Sequence, residues 1–227
     1  MDKISIFWFR RDLRLHDNVA LFNGLKSGEK VLPIFIFDTS ILDKLPKNDA
    51  RISFIIKELR SMNEHLKSFD ASIDIYHGKP IEVFESLIKK YPIASVFTNH
   101  DYEPYAIKRD QEIKELLSSE NINFNSFKDQ VIFEKNEITK KDGNPYVVYT
   151  PYSKKWMEAY EQINHTHYTS EDLLSQLYTQ SKAKELTLEE LGFEETNTPI
   201  KNYIFNSRII NEYEETRNFP ALDNTSK

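Results

Sequence analysis

Two spacings of apolar residues alternate along the first half of the chain. Residues 4–9, 31–37 and 94–98 are short, mostly apolar runs, and 72–76 and 123–127 are short stretches in which apolar and polar residues mix. Between them, over 18–26, 49–69, 80–91 and 104–119, apolar residues return every three or four positions. A short run that is apolar on both faces reads as a strand covered on both sides, the habit of parallel sheets. The three-and-four spacing gives a helix one apolar stripe, clearest where Ile52, Ile55, Ile56, Leu59, Met62 and Leu66 share a face. Asp17-Asn18 supplies cap chemistry ahead of Val19, and Pro80 and Pro104 each suit the first turn of a helix. Five strands with four intervening helices predict an α/β fold: a Rossmann-like doubly wound five-stranded parallel sheet in the order 3-2-1-4-5. The first strand is then central, and the winding reverses between strands one and four.

This periodicity ends after about residue 128. Stretches 131–133, 137–144 and 146–149 read as a lid, with a turn at Asp142-Gly143-Asn144, and 154–162 reads as a short helix. From 165 to 198 the chain is polar and acidic, with Glu185, Glu189, Glu190, Glu194 and Glu195, and offers few apolar residues to bury. That composition predicts a linker with loose helical turns. Over 198–217 a helical pattern returns through Ile200, Ile204, Ile209, Ile210 and Tyr213, and it stops at Phe219-Pro220. The expected organisation is an α/β domain over 1–130, a lid and inter-domain linker over 131–198, and the truncated start of a helical domain over 199–227.

Composition removes several chemistries. The chain has 227 residues and a formal net charge of −6, which argues against a general nucleic-acid coat or a polybasic membrane anchor. With no cysteine there is no disulfide framework, thiol nucleophile or iron–sulfur cluster. Only 5 glycines occur, in neither GxGxxG nor P-loop spacing, and HExxH and GxSxG are absent. His165-x-His167, the one close histidine pair, reads as solvated. No apolar run has transmembrane length and the apolar start is too short for a signal peptide, so a cytoplasmic location is expected.

Two constellations remain. Arg10-Arg11-Asp12 leaves the first strand and faces Asn99-His100-Asp101-Tyr102-Glu103 after the fourth, at the carboxyl edge where open α/β sheets bind ligands. The pair is either a ligand crevice or a salt-bridge network bracing two loops. The aromatic stretch from Tyr146 through Tyr149 and Tyr152 to Trp156 reads as a clamp that packs the following segment onto the sheet.

Trp8-Phe9-Arg10-Arg11-Asp12-Leu13-Arg14-Leu15-His16-Asp17-Asn18 resembles the amino-terminal signature of the photolyase/cryptochrome flavoproteins, W-F-R-x-D-L-R-x-x-D-N. Asn99-x-x-Tyr102-Glu103 with Arg109-Asp110 is similar to that family's segment after strand four, and Tyr149-Thr150-Pro151-Tyr152 with Trp156 to its T-P-[FY]-x-x-x-W. Tyr213-Glu214-x-x-Arg217-x-Phe219-Pro220 with Thr225-Ser226 resembles the start of its flavin-binding helical domain.

The resemblance implies that an α/β domain covers a helical domain holding a folded FAD, often with an antenna chromophore between them. Light then drives electron donation from the reduced flavin to a pyrimidine dimer in DNA, the carbon–carbon lyase chemistry of a deoxyribodipyrimidine photolyase. It matches Tyr213, Thr225 and Ser226 to FAD contacts, and places Arg10, Arg11, Asp12, Asn99, Glu103 and Tyr105 around a possible antenna crevice. The rest of the flavin pocket, the electron-transfer tryptophans and the DNA groove are expected beyond Lys227. On this reading the chain alone is an inactive fragment that does not retain FAD, and damaged DNA is a partner of the full-length protein. Its tail, with Ile204, Ile209 and Ile210, is expected to pack on the chain's own helical domain or to self-associate.

Folate-binding members carry Asn-Glu where this sequence has Tyr105-Ala106, which disfavours a methenyltetrahydrofolate antenna and leaves a deazaflavin, a flavin or an empty pocket. A cryptochrome photoreceptor domain and a generic α/β nucleotide-binding protein are the alternative readings.

Overall fold

A computed structural model describes residues 2–164, 166–180, 185–196, 198, 207–219 and 221. Strands β1 (Ile4–Phe9), β2 (Lys30–Asp38), β3 (Asp74–Gly78), β4 (Ile93–Asn99) and β5 (Asn123–Phe127) form one sheet in the order β3-β2-β1-β4-β5, every pair parallel. The connecting helices are α1 (Val19–Leu25), α2 (Thr39–Leu42), α3 (Ala50–Leu66), α4 (Pro80–Lys90) and α5 (Pro104–Ser119). This is the predicted architecture, with β1 central. The one-turn helix α2 is an addition: Asp38, the last residue of β2, accepts a hydrogen bond from the Ser40 N–H and turns the chain at once.

Strand alternation divides β1 between two cores. Phe7 and Phe9 join Leu21 and Leu25 of α1 and Ile52, Ile56 and Leu59 of α3 on one face. Ile6 and Trp8 join Val83, Phe84 and Leu87 of α4 and Ile113 and Leu117 of α5 on the other. All six residues of β1 are buried, as expected of a strand covered by helices on both sides. On the first face α1 lies so close to β4 that a Cβ on Gly24 would sit 3.3 Å from the Phe97 ring.

The acidic stretch after residue 165 departs from the expected loose linker. Its 3₁₀ segment Ser170–Gln176 and the residues after it bury Leu174, Leu177, Leu186, Leu191 and Phe193 against the α1/α3 core. The pairing of β3 with β2 begins only at Ile34, so the start of β2 is open on that side. Leu177 bridges to Val31 there, and the Tyr178 N–H donates to the Val31 carbonyl at 2.8 Å. Ser170, fully buried, accepts from the Asn18 N–H and donates to the Leu15 carbonyl. These anchors dock one at a time onto a surface that already exists, so they carry no helical or strand period for a pattern reading to find.

Helix α6 (Tyr149–Tyr160) begins five residues before the expected start at 154, and no strand forms in the lid before it. Helices α7 (Ser207–Asn211) and α8 (Tyr213–Thr216) carry part of the expected tail pattern; Ile200 and Ile204 lie outside the described residues. No helix among the described residues is long and apolar enough to cross a membrane.

Candidate functional site

The loop leaving β1 is fixed by two layers of polar contacts. In the inner layer Asp12, Asn18 and Asn99, all at most 4% exposed, bond to one another. The Asn99 amide donates to the Asp12 carboxylate and to Asn18 Oδ1, the latter at 2.9 Å, while Asn99 Oδ1 accepts from the Ala20 N–H at 2.9 Å. Asn18 Oδ1 also caps α1 through the Leu21 N–H, and Asp12 Oδ1 accepts from the Arg10 N–H. Each member thus satisfies a buried group left over where β1, α1 and β4 meet.

In the outer layer Arg10 Nη1 donates to both carboxylate oxygens of Asp110 on α5, 2.6 Å to each, and Nη2 donates to the Asn99 carbonyl. Arg109 reaches the same carboxylate at 2.9 Å and comes within 3.9 Å of Asp101. Both side chains are more than nine-tenths buried. Burial lowers the Arg10 pKa and the neighbouring Arg109 adds to this, but Asp110 opposes both; an arginine stays charged under such a shift. At the surface Arg11 pairs with Glu103 at 2.7 Å.

The two loops are therefore locked together, and the open space lies beside them. A pocket of about 440 Å³ sits over the carboxyl ends of β1 and β2, walled by Phe35 and Phe37 of β2, Ile41 of α2, Ile52 and Ile55 of α3, and Tyr105 and Ala106 of α5, with Trp8 and the arginines on its inner side. The Tyr105 hydroxyl donates to Asp38; burial first, then this bond, raises the Tyr105 pKa. Of the six residues predicted to surround a crevice, Arg10, Arg11, Glu103 and Tyr105 line this pocket, whereas Asp12 and Asn99 stand behind it in the inner brace. The pattern reading missed Phe35, Phe37, Ile41, Ile52 and Ile55, whose apolar spacing signals core alone. It also left Asp38 unmarked, although a carboxylate closing an apolar strand was the available signal.

The pocket joins aromatic and aliphatic walls to a row of paired charges. Its four arginines, Arg10, Arg11, Arg51 and Arg109, are matched by Asp110, Glu103, Asp49 and Asp101, so there is no surplus positive charge for a phosphate. A second opening of about 590 Å³ lies across the brace, between α5 and the segment after β5, where His100 meets Glu134 at 2.7 Å. The aromatic stretch does not form the expected clamp: Trp156 stacks on Tyr160 of its own helix and meets Phe133 of the lid edge-on, Tyr149 and Tyr152 stay exposed, and the following segment docks on the core through its own leucines. Among the matched FAD contacts, Tyr213 lies on α8 with its ring 60% exposed, and Thr225 and Ser226 are outside the described residues.

Comparison with known proteins follows the same division. The family model described as DNA photolyase matches residues 5–171. The deoxyribodipyrimidine photo-lyase of a Synechococcus species is 27% identical over 236 residues, covering 97% of this chain and 49% of that protein. A Synechocystis sp. PCC6803 cryptochrome superposes with a TM-score of 0.75 at 16% identity, over 96% of this chain and 49% of its own. A Sulfolobus tokodaii photolyase solved with two FAD molecules does so with a TM-score of 0.62 at 21% identity, over 86% and 42%. These superpositions establish a shared fold, and the fold is common to a photolyase and a cryptochrome. The chain spans about half the length of the relatives it matches.

Proposed function

Because the chain belongs to the DNA photolyase family, we propose that it is the amino-terminal α/β domain of a light-dependent deoxyribodipyrimidine photolyase, with the slot over β1 and β2 as its antenna site. The observation that carries the antenna reading is the slot itself: aromatic and aliphatic walls, a charge-balanced inner side and a volume near 440 Å³, the size class of small-molecule sites. An isoalloxazine-type ring suits it, and the second FAD of the Sulfolobus tokodaii relative lends support to a flavin-class ligand. When bound, such a ring would supply light absorption; the chain's residues supply placement and a dry, rigid surround. Phe35, Phe37 and Ile52 would exclude water from the ring faces, and Arg10 with Asp110 would keep the wall from yielding.

A pterin fits less well. Ala106 offers no side-chain polar atom and the Tyr105 hydroxyl is already engaged by Asp38, so these two positions give a pterin neither the amide nor the carboxylate that Asn-Glu would supply. On the same proposal the full-length protein holds its catalytic FAD in a helical domain to which Tyr213, Thr225 and Ser226 contribute, and binds damaged DNA there. Two measurements on the full-length gene product test this: flavin absorption after gel filtration, and loss of cyclobutane dimers from irradiated oligonucleotides under blue light. Dimer loss that requires light is expected. Flavin-loaded protein that leaves the dimers intact would overturn the repair assignment in favour of photoreception.

A further inference from the structure

The arrangement around Trp8 does more than bracing requires. Its indole is 2% exposed, meets Phe84 edge-on, and lies on the inner side of the slot. Two guanidiniums lie over this one ring, Arg10 with its Cζ 5.1 Å from the centroid and Arg109 at 4.9 Å. Their balancing carboxylates, Asp110 and Asp101, bind the guanidinium nitrogens. Two buried like charges on a single ring cost desolvation and mutual repulsion, and apolar side chains would hold α5 against β1 without either. Besides binding Asp110 and the Asn99 carbonyl, the cations do one thing to the ring that apolar groups cannot, and it is electronic. A cation over an aromatic face is attracted to the neutral ring and repels a ring that has lost an electron.

We infer that Arg10 and Arg109 keep Trp8 hard to oxidise, so that an excited chromophore in the slot is not quenched by the indole beside it. This rests on the reading of the slot as an antenna site. The suppressed step is a one-electron cycle: the indole gives an electron to the excited ring and is oxidised as the ring is reduced. The same electron then returns and the excitation is lost as heat, with no bond broken and no net proton moved. An antenna must hold its excitation long enough to pass it on, and an unprotected indole lining the slot would compete with that transfer. Tyr105 is the other oxidisable ring in the wall, and Asp38 stands ready to take its proton. Its contribution is removed by working in a Tyr105→Phe background.

The test loads the 227-residue chain with riboflavin and measures the fluorescence lifetime of the bound fraction. Arg109→Met, which keeps the stem and removes the charge, is expected to shorten the lifetime by about threefold or more. Arg109→Lys should preserve it, and adding Trp8→Phe to Arg109→Met should restore it. Trp8→Phe alone should leave the lifetime unchanged, a result that does not depend on the arginine variants folding. A lifetime unaltered in folded, riboflavin-bound Arg109→Met would overturn the inference. So would shortening that persists without Trp8, or lengthening in Trp8→Phe alone. If riboflavin does not bind the parent protein at all, the antenna reading fails first and the inference falls with it.

Discussion

Replacing Asn99 by leucine separates a brace from a ligand contact. The asparagine side chain makes three hydrogen bonds in a region closed to water: it accepts from the Ala20 N–H, and it donates to Asp12 and to Asn18 Oδ1. Leucine is of similar size, so the cavity term is small and the cost lies in the stranded partners. Ala20 is fully buried in the first turn of α1, where an N–H has no partner within the helix, and orphaning it costs about 1–3 kcal/mol. Asp12 keeps the Arg10 N–H and Asn18 Oδ1 keeps the Leu21 N–H, so those two losses cost nearer ~1 kcal/mol each. The sum is about 3–5 kcal/mol, a large part of the ~5–15 kcal/mol that holds a domain folded. Urea unfolding followed by far-ultraviolet circular dichroism reads it directly. Asp49→Ala, which removes the exposed cap of α3, serves as the control at about 1 kcal/mol. A loss below about 1 kcal/mol for Asn99→Leu would show that the inner network is not what fixes the loop.

Three further outcomes are expected. Leu174→Ala should cost about 2–4 kcal/mol in the same unfolding assay, because its side chain is 1% exposed in the α1/α3 core; a change near zero would return the 170–193 segment to the status of a loose linker. Burial works to raise the Glu137 pKa, but the hydrogen bond from Lys128, the Glu134 N–H and the Lys128 charge outweigh it and hold the carboxyl below its ordinary value. The stability this gives is present above the ordinary carboxylate range and is lost as the pH falls through the depressed value; Lys128→Met should move the Glu137 carboxyl titration, followed by NMR, upward. Methenyltetrahydrofolate should be retained weakly if at all by the parent chain, and Tyr105→Asn/Ala106→Glu should tighten it by on the order of a hundredfold in fluorescence titration, since two polar contacts are regained. Tight binding that is the same in both would refute the assignment of those positions.

The inner strands β2, β1 and β4 are legible in the sequence for a plain physical reason. A strand covered on both faces, such as Ile4–Phe9, has nothing to gain from a polar residue at any position, so its boundaries appear as changes of composition. The acidic stretch fails the same reading because burial there is achieved by single residues. Leu174, Leu177, Leu186, Leu191 and Phe193 each fill a gap left by elements formed earlier in the chain, and a gap has no period. Tyr178 and Gln180 add backbone hydrogen bonds to Val31 and Asp70 that no side chain announces.

The site is half legible for a related reason. Sequence order and strand order together bring Arg10-Arg11-Asp12 to the same edge as Asn99–Glu103, and that juxtaposition is found. What sequence order does not carry is depth. Asp12 and Arg11 are adjacent in the chain, yet one is 4% exposed in the inner brace and the other has its side chain half exposed on Glu103. The difference is set by which side of the loop faces α1, where Asn18 and the Ala20 N–H demand acceptors. Ion pairing then completes the geometry: once Arg10 and Arg109 are drawn to Asp110, the two loops close on each other. The remaining cavity opens toward the aromatic end of β2. The same charges that look, in one dimension, like an anion site are in three dimensions already neutralised, and a neutralised wall beside Phe35, Phe37 and Trp8 is what favours the proposed aromatic ring over a phosphate.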